Sequence, residues 1–351
     1  MHAGAVKLLL TSCALVALAC AGPPQELGPQ PIYDGETAGD EFASVVMVNN
    51  SSSGTTDVCS GTVVAPNVVL TARHCVAVYR DGVFSCSADG ELITSSQSDA
   101  GFIGADVDPA SLSILSDPTH AATPLALGKA IFGPPTSNIC HNDLAWIVLD
   151  RELDLPVMPM RVGMGTERNE LLDAVGYGQG DTALATRRVR RDRRVRTVGR
   201  SAFHEATEAT PPDTFVTEPG ACRGDSGGPA LSQSPRSVTG VFSLLVGTCG
   251  DPLSRTVYTQ VASFEDDLWA AFDAAGAQPE LVQPEPTSSS GSSGCTVAVP
   301  GGVRSAHLAP CLAVLALSVW RQRRRMVNAG GRPVREPGQR CHVRLRGRWM
   351  A

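Results

Sequence analysis

Ser226 lies in the run Gly220 to Pro229, GACRGDSGGP, between Asp225 and the pair Gly227-Gly228. A run this rich in Gly is neither helix nor regular strand and reads as a loop that can turn back tightly on itself. Such a loop brings the backbone N–H groups of Gly224 and Ser226 together and aims both at one point. A hydroxyl beside two converging amide donors has what acyl transfer needs: an attacking oxygen, and a pocket for the charge that develops on a carbonyl oxygen. Serine alone is too weak an acid to attack at neutral pH. It needs a base, and the base needs a group that fixes its tautomer. Both residue types occur upstream, His74 within TARHC (Thr71 to Cys75) and Asp143 within NDLAWIVLD (Asn142 to Asp150). Asp143 opens the apolar run Leu144 to Leu149, so its carboxylate is expected to be buried and to need a donor, which His74 supplies.

The surrounding segments are those of a β protein. Ser44 to Val48, Cys59 to Val64 and Val68 to Thr71 are short β-branched runs cut by Asn, Ser, Gly and Pro, as in an antiparallel barrel. Val238 to Val246 reads as a strand following the serine loop. Ser263 to Ala275 carries Phe264, Leu268, Trp269 and Phe272 at helical spacing, which predicts a helix with that stripe packed inward. Ser85 to Asp108, rich in Ser, Gly and Asp, reads as a surface loop. Its Asp99, Asp106 and Asp108 are spread too loosely to make a calcium site, and no metal is expected. His120 and His141 read as surface or packing residues. Arg187 to Arg200 is read as an exposed loop leading into an edge strand with a solvated face. The alternative for that run is a surface for an anionic partner, marked by salt-sensitive binding.

The order His, Asp, Ser, the string GDSGGP and the pair His74-Cys75 resemble the trypsin/chymotrypsin-like serine peptidases, over Ile32 to Gly276. The resemblance implies an all-β fold, a double antiparallel six-stranded β-barrel (chymotrypsin-like) with a C-terminal helix, in which AVGYGQG (Ala174 to Gly180) enters the second barrel. It implies hydrolysis of peptide bonds in a protein or peptide substrate, with no cofactor. Ser226 then attacks, His74 takes and returns the proton, and Asp143 orients His74, helped by Ser243. The amides of Gly224 and Ser226 form the oxyanion hole. Cys59 and Cys75 are expected to pair beside the histidine, and Cys222 with Cys249 across the walls of the specificity pocket. Cys86 and Cys140, which flank the insertion between His74 and Asp143, are a further candidate pair.

Gly220 falls at the floor of that pocket, where members that cut after Lys or Arg carry Asp. Without a carboxylate a bound cation is left unpaired in a desolvated slot. Leu245 and Thr256, on opposing walls near Ser243, would fill the slot, so cleavage after small apolar residues such as Ala or Val is expected. Ile32-Tyr33-Asp34-Gly35 resembles the family's mature amino terminus, whose freed Ile amine pairs with the Asp before the serine, here Asp225. A buried carboxylate without such a partner is costly. Pro31 stands where a basic residue usually precedes the cut, so an activating protease of different specificity is required. The alternatives to a working enzyme are a catalytically silent binding module or an unprocessed zymogen on the same fold.

Composition and termini place the protein outside the cytoplasm. The 11 Cys point to an oxidising compartment. The net charge of −6 hides an asymmetry, because from Arg321 onward there are ten Arg against one Glu. The remainder is therefore clearly acidic and offers no basic face to a nucleic acid. Lys7 followed by Leu8 to Ala19 reads as a signal peptide (residues 1–19). Ala17-Leu18-Ala19 fits ordinary cleavage, whereas Cys20 immediately after it fits lipidation and membrane attachment, and the sequence leaves both open. Residues 20–31 read as a pro-segment, 32–276 as the peptidase domain and 277–293 as a Pro-, Gln- and Ser-rich linker. Gly294-Cys295, the apolar run Leu308 to Trp320 and the Arg cluster that follows resemble the carboxy-terminal sorting tags of myxobacterial surface proteins. That makes 294–325 a sorting or anchor segment, with an uncleaved membrane helix as the alternative, and 326–351 a basic tail. The expected location is a bacterial cell surface, membrane-associated or released.

Overall fold

In the computed structural model the chain divides into two units, residues 1–288 and 289–351. The structure describes residues 32–116, 123–178 and 186–282, all in the first unit. The signal peptide, Cys20, the pro-segment to Pro31, His120, Gln179-Gly180, the linker beyond residue 282, the sorting segment and the basic tail lie outside the described residues. Among the described residues no helix is long and apolar enough to cross a membrane.

Twelve strands carry the site. Val45–Asn50 (β1), Asp57–Ala65 (β2), Val68–Thr71 (β3), Leu112–Leu115 (β4), Ala126–Phe132 (β5) and Ala145–Leu149 (β6) close into an antiparallel barrel in the order β1-β2-β3-β6-β5-β4. Leu171–Gly176 (β7), Arg188–Val198 (β8), Thr214–Thr217 (β9), Pro229–Gln233 (β10), Arg236–Val246 (β11) and Arg255–Gln260 (β12) repeat that order as β7-β8-β9-β12-β11-β10. Pairing of β7 with β10 closes the second ring. Closure matters because an open sheet of this length leaves unpaired N–H and C=O groups at its edges.

β-Branched and aromatic residues fill both barrels. Val63, Leu70, Ile114 and Ile147 belong to one buried cluster, and Leu172, Val195, Phe215, Phe242 and Tyr258 to another. Phe215 stacks on Tyr258 with ring centroids 5.2 Å apart. β6, Ala-Trp-Ile-Val-Leu, is buried at every position, and the helix Glu265–Ala275 (α1) packs against it. Truncation of a fully buried Trp such as Trp146 costs about 3–5 kcal/mol.

Four sequence expectations are corrected here. The Arg-rich run is not an exposed loop entering an edge strand, because β8 pairs with β7 on one side and β9 on the other. Val189 and Val195 of β8 are fully buried. Ser85 to Asp108 is more than a loop: Ser85–Cys86 pairs with Leu92–Ile93, and Ile103–Asp106 with Ala77–Tyr79. Trp269 is not part of the inward stripe. It is 39% exposed and its Nε1 donates to Glu265, while Leu268, Ala271 and Phe272 face in. One residue along a helix rotates the side chain by about 100°, which carries Trp269 off the face that Leu268 occupies. Finally, the stretch after Gly276, which caps α1 in the left-handed conformation, still adds structure, since Leu281–Val282 pairs in parallel with Met160–Arg161.

Candidate active site

His74 and Asp143 come from neighbouring strands of the first barrel. His74 sits in the short turn Arg73–Cys75 directly after β3, and Asp143 just before β6, the strand hydrogen-bonded to β3. Asp143 is fully buried and accepts three hydrogen bonds. The His74 backbone N–H donates to Oδ1 (2.9 Å), the His74 ring Nδ1 lies 2.8 Å from Oδ2, and the Ser243 hydroxyl donates to Oδ2 (2.6 Å). Ser243 belongs to β11 of the second barrel, at a register break between Phe242 and Leu244. Such a bulge re-aims a side chain that regular alternation would point elsewhere. One carboxylate thus takes donors from both barrels.

Burial pushes the Asp143 carboxyl up, but the charge of His74 and the hydrogen bonds from His74 and Ser243 outweigh it and hold the group below the usual carboxylate range. An ionised Asp143 fixes a proton on His74 Nδ1 and leaves Nε2 as the basic nitrogen. His74 Nε2 lies 3.8 Å from Cys75 Sγ, and the Tyr79 ring lies 5.1 Å from the imidazole, tilted by 51°.

The Ser226 loop connects β9 to β10 and is bent by glycines. Gly224 (φ +89°) and Gly227 (φ +82°) occupy the left-handed region that side chains disfavour. At Gly227 an added Cβ would lie 2.1 Å from Thr71 Oγ1 and 2.2 Å from the Ser60 carbonyl. The loop therefore rests directly on the strand end that carries His74. The Ser60 N–H donates to the Ser226 carbonyl at 2.7 Å, a second tie between the barrels. Among the described residues the Gly224 and Ser226 amides donate to no acceptor, and the Ser226 hydroxyl, half-buried, makes no hydrogen bond to His74. Two N–H groups without an acceptor and a half-buried hydroxyl within three residues are the groups that stabilisation of an oxyanion calls for.

Asp225 anchors the same loop from behind. It is fully buried and accepts from the N–H groups of Ile32 (2.8 Å), Cys222 (2.8 Å) and Gly178 (2.7 Å). Burial pushes its carboxyl up to about 6, only partly offset by those amides and by the charge of Arg188. Ile32 itself is buried and packs with the second-barrel cluster.

Gly220, Leu245 and Thr256 come together, in a different relation from the one expected. Leu245 and Thr256 are direct cross-strand partners on β11 and β12, not opposing walls. Thr256 is fully buried, and its hydroxyl accepts from the Gly220 N–H at 3.2 Å, tying the floor to the wall. Leu245 is half-buried and packs against the cluster that contains Ala221 and Phe242. Behind Gly220 lie Ala174 and the Arg193 side chain, 3.3 and 3.2 Å from where a Cβ would stand. Leu244, Leu245 and Val246 also border a cleft of about 780 Å³ that Phe84 and Cys86 line as well.

All three expected disulfides are present: Cys59–Cys75, Cys86–Cys140 and Cys222–Cys249. The first involves two of the three residues of the cluster Cys59, His74 and Cys75, so those sulfurs are occupied by each other. Asp106 pairs with Arg73 (2.6 Å), Asp99 with Arg80 (3.3 Å), and Asp108 caps the turn at Pro109. His141 Nδ1 lies 3.0 Å from the Gly90 carbonyl. Sequence reasoning missed Ser60, whose hydroxyl accepts from the Tyr177 N–H while its amide holds Ser226, and Arg188 beside Asp225. Neither carries a local motif; only the meeting of distant strands reveals them.

A family model described as Trypsin matches residues 34–268. No curated protein matches the chain. Solved structures similar to it include human heparin binding protein (19% identity, TM-score 0.47, covering 71% of this chain and 100% of that one). Others are the scabies mite inactivated protease paralogue S-I1 (15%, 0.47, 68% and 99%) and HL collagenase (19%, 0.47, 70% and 100%).

Proposed function

The chain belongs to the trypsin family, and on that footing we propose that it is an exported serine endopeptidase acting on protein or peptide substrates. The observation that carries this reading is the Asp143 carboxylate shared between His74 and Ser243, together with a Ser226 hydroxyl and two loop amides that are unengaged among the described residues. Ser226 Oγ attacks the scissile carbonyl as His74 Nε2 accepts its proton. The Gly224 and Ser226 amides hold the oxyanion, and the imidazolium then gives the proton to the leaving amine. Water repeats the cycle to release the acid. Asp143 stays ionised throughout and balances the imidazolium. In a substrate-free site the nucleophile–base hydrogen bond is often open and closes only on binding, so its absence does not oppose this assignment.

Activation by a protease that cuts after Pro31 is supported by the backbone at Ile32. Its φ is +36°, a region that a β-branched residue avoids because of the preceding carbonyl. Cutting the bond to residue 31 removes that carbonyl and the strain with it, and gives Asp225 an ammonium in place of an amide. Preference for small apolar residues before the cut rests on the absence of a carboxylate at Gly220 and on Leu245 and Thr256 at the wall. The cleft of about 780 Å³ beside Leu245 has room for further residues of an extended substrate. Export, attachment through Cys20 or the carboxy-terminal segment, and release at the cell surface are proposed from the sequence, together with the disulfides.

A peptide library tests the activity. The chain released at Ile32 is expected to cleave after Ala or Val, and the Ser226→Ala form to cleave nothing. Preferred cleavage after Arg, Lys or large aromatics would refute the pocket assignment. Equal turnover by Ser226→Ala would refute the nucleophile.

A further inference from the structure

The Arg-rich strand β8 offers few free cations to a partner: Arg188, Arg190 and Arg191 are spent on the segment that follows Ile32, while Arg193, Arg194 and Arg196 meet Pro219, Asn169 and Glu218. Ala38 N–H donates to the Arg187 carbonyl (3.0 Å), and the short strand Glu36–Thr37 pairs with Val189 and Arg188. Arg187 donates to the Gly39 carbonyl (3.3 Å) and Arg188 to the Gly35 carbonyl. Arg190 donates to the Tyr33 carbonyl (3.0 Å), stands 5.4 Å over the Tyr33 ring and lies 3.6 Å from Asp34. Arg191 spans Glu36 (3.0 Å) and Glu41 (2.9 Å) and lies 5.2 Å over the Phe42 ring. The planar fork of Arg suits such multiple contacts to carbonyls, carboxylates and ring faces. Between this grip and Ile32 there is only a tight turn, closed by Gly35 N–H to the Ile32 carbonyl at 2.8 Å. A Cβ on Gly35 would meet that carbonyl at 2.7 Å and the Val189 carbonyl at 2.9 Å, so the turn lies flat on β8.

We propose that Arg188, Arg190 and Arg191 are positioning residues for the oxyanion loop: they clamp residues 33–42 onto the second barrel and so deliver Ile32 to Asp225. The amine–carboxylate pair is then not the sole support of the docked state. Loss of the amine's charge leaves the wild-type segment in place, whereas loss of the clamp makes docking depend on that charge. The charged and titratable groups facing Asp225 are Arg188 and Tyr258. Those facing the clamp are Asp34, Glu36, Glu41, Asp173 and, over the Phe42 ring, Arg236. The proposal rests on the peptidase reading for its readout.

The test compares the chain released at Ile32 with its Arg190→Ala/Arg191→Ala form, by the rate of fluorophosphonate labelling from pH 6 to 10. The α-amine ordinarily titrates near 8. The double variant is expected to label at least tenfold more slowly at pH 7 and to lose labelling as pH rises through about 8, at least one unit below any such loss in the parent. Millimolar Ile-Tyr dipeptide, which brings the same residue with a free amine, should restore the variant to within about threefold of the parent, because it fills the vacated site and regains the pairing. Parent-like labelling overturns the proposal, and so does a loss equal at every pH with no recovery by dipeptide. Should the double variant not fold, Arg191→Lys is read in the same way. A cation without the fork should lose at least threefold and recover with dipeptide, and parent-like behaviour again overturns the proposal. A parent that does not label refutes the peptidase reading itself, which separates the two failures.

Discussion

Asp143→Asn probes the geometry at its centre. The carboxylate accepts three hydrogen bonds, at 2.9 and 2.8 Å from His74 and 2.6 Å from Ser243, and an amide has one oxygen to offer. With its NH2 toward the His74 backbone N–H, two donors face each other in a buried site, at a cost of about 1–3 kcal/mol. The other orientation avoids that clash by turning the NH2 toward the His74 ring, and the Ser243 hydroxyl can rotate to accept. Nδ1 must then accept, so the proton moves to Nε2, the nitrogen that has to take the proton of Ser226. The less strained orientation is therefore the inactive one. A triad forced into that tautomer loses about 10⁴-fold in rate, roughly 5.5 kcal/mol of barrier. Ser243→Ala removes one donor of three and leaves the tautomer intact, so a loss of about tenfold is expected, in line with one charge-assisted hydrogen bond. Fluorophosphonate labelling and peptide hydrolysis at pH 7 measure both variants, with thermal melts to establish that each is folded. A well-folded Asp143→Asn form labelling within tenfold of the parent would refute the assignment of Asp143.

Leu245→Gly should open the slot above Gly220 and shift cleavage toward large apolar residues by about 10–200-fold in relative kcat/KM, read from a peptide library; an unchanged profile would remove Leu245 from the pocket wall. Gly227→Ala puts a Cβ 2.1 Å from Thr71 Oγ1 at φ +82°, so urea melts should show a loss of about 3 kcal/mol or more. A loss below about 1 kcal/mol would contradict the close seating of the serine loop on β3. With Ile32 still in peptide linkage, Asp225, pushed up to about 6, keeps a proton that the unfolded chain gives up near 3.8. The folded state then binds more protons between those values, and stability should fall by about 2 kcal/mol as pH rises from 4 to 6. A free Ile32 ammonium favours the ionised carboxylate, so the released chain should lose little over the same window, and equal pH slopes for the two forms would contradict the pairing.

The meeting of His74 with Asp143 was legible because TARHC and the Asp before an apolar strand are short contiguous strings, each holding a polar group and its immediate constraints, and the barrels follow from β-branched runs of ordinary length. The Arg-rich strand was not legible. Its inward residues Val189 and Val195 should mark a simple alternation, but an irregularity against β7, with Asp192 at φ +59°, breaks the period midway. The partners that explain its charge, Asp34, Glu36 and Glu41, lie about 150 residues away in the chain, where no sequence window can join them. Leu245 and Thr256, expected on opposing walls, are instead cross-strand partners, because register between β11 and β12 is set by the break at Ser243 that no residue type announces. Trp269 was assigned inward on hydrophobicity alone; its indole N–H favoured the edge of the helix face, where it reaches Glu265.

Covalent labelling of Ser226 by a fluorophosphonate is the most direct measurement, made on the chain from Ala21, on the chain released at Ile32, and on the Ser226→Ala form of each, with the modified residue located by peptide mass spectrometry. A hydroxyl activated by His74 and Asp143, next to amides ordered through Asp225, should be labelled at Ser226 in the released chain and in neither alanine form, and the chain from Ala21 reports how far the loop orders without the amine. Absence of labelling from both folded parent forms, or labelling that persists in Ser226→Ala, would contradict a working nucleophile at this site.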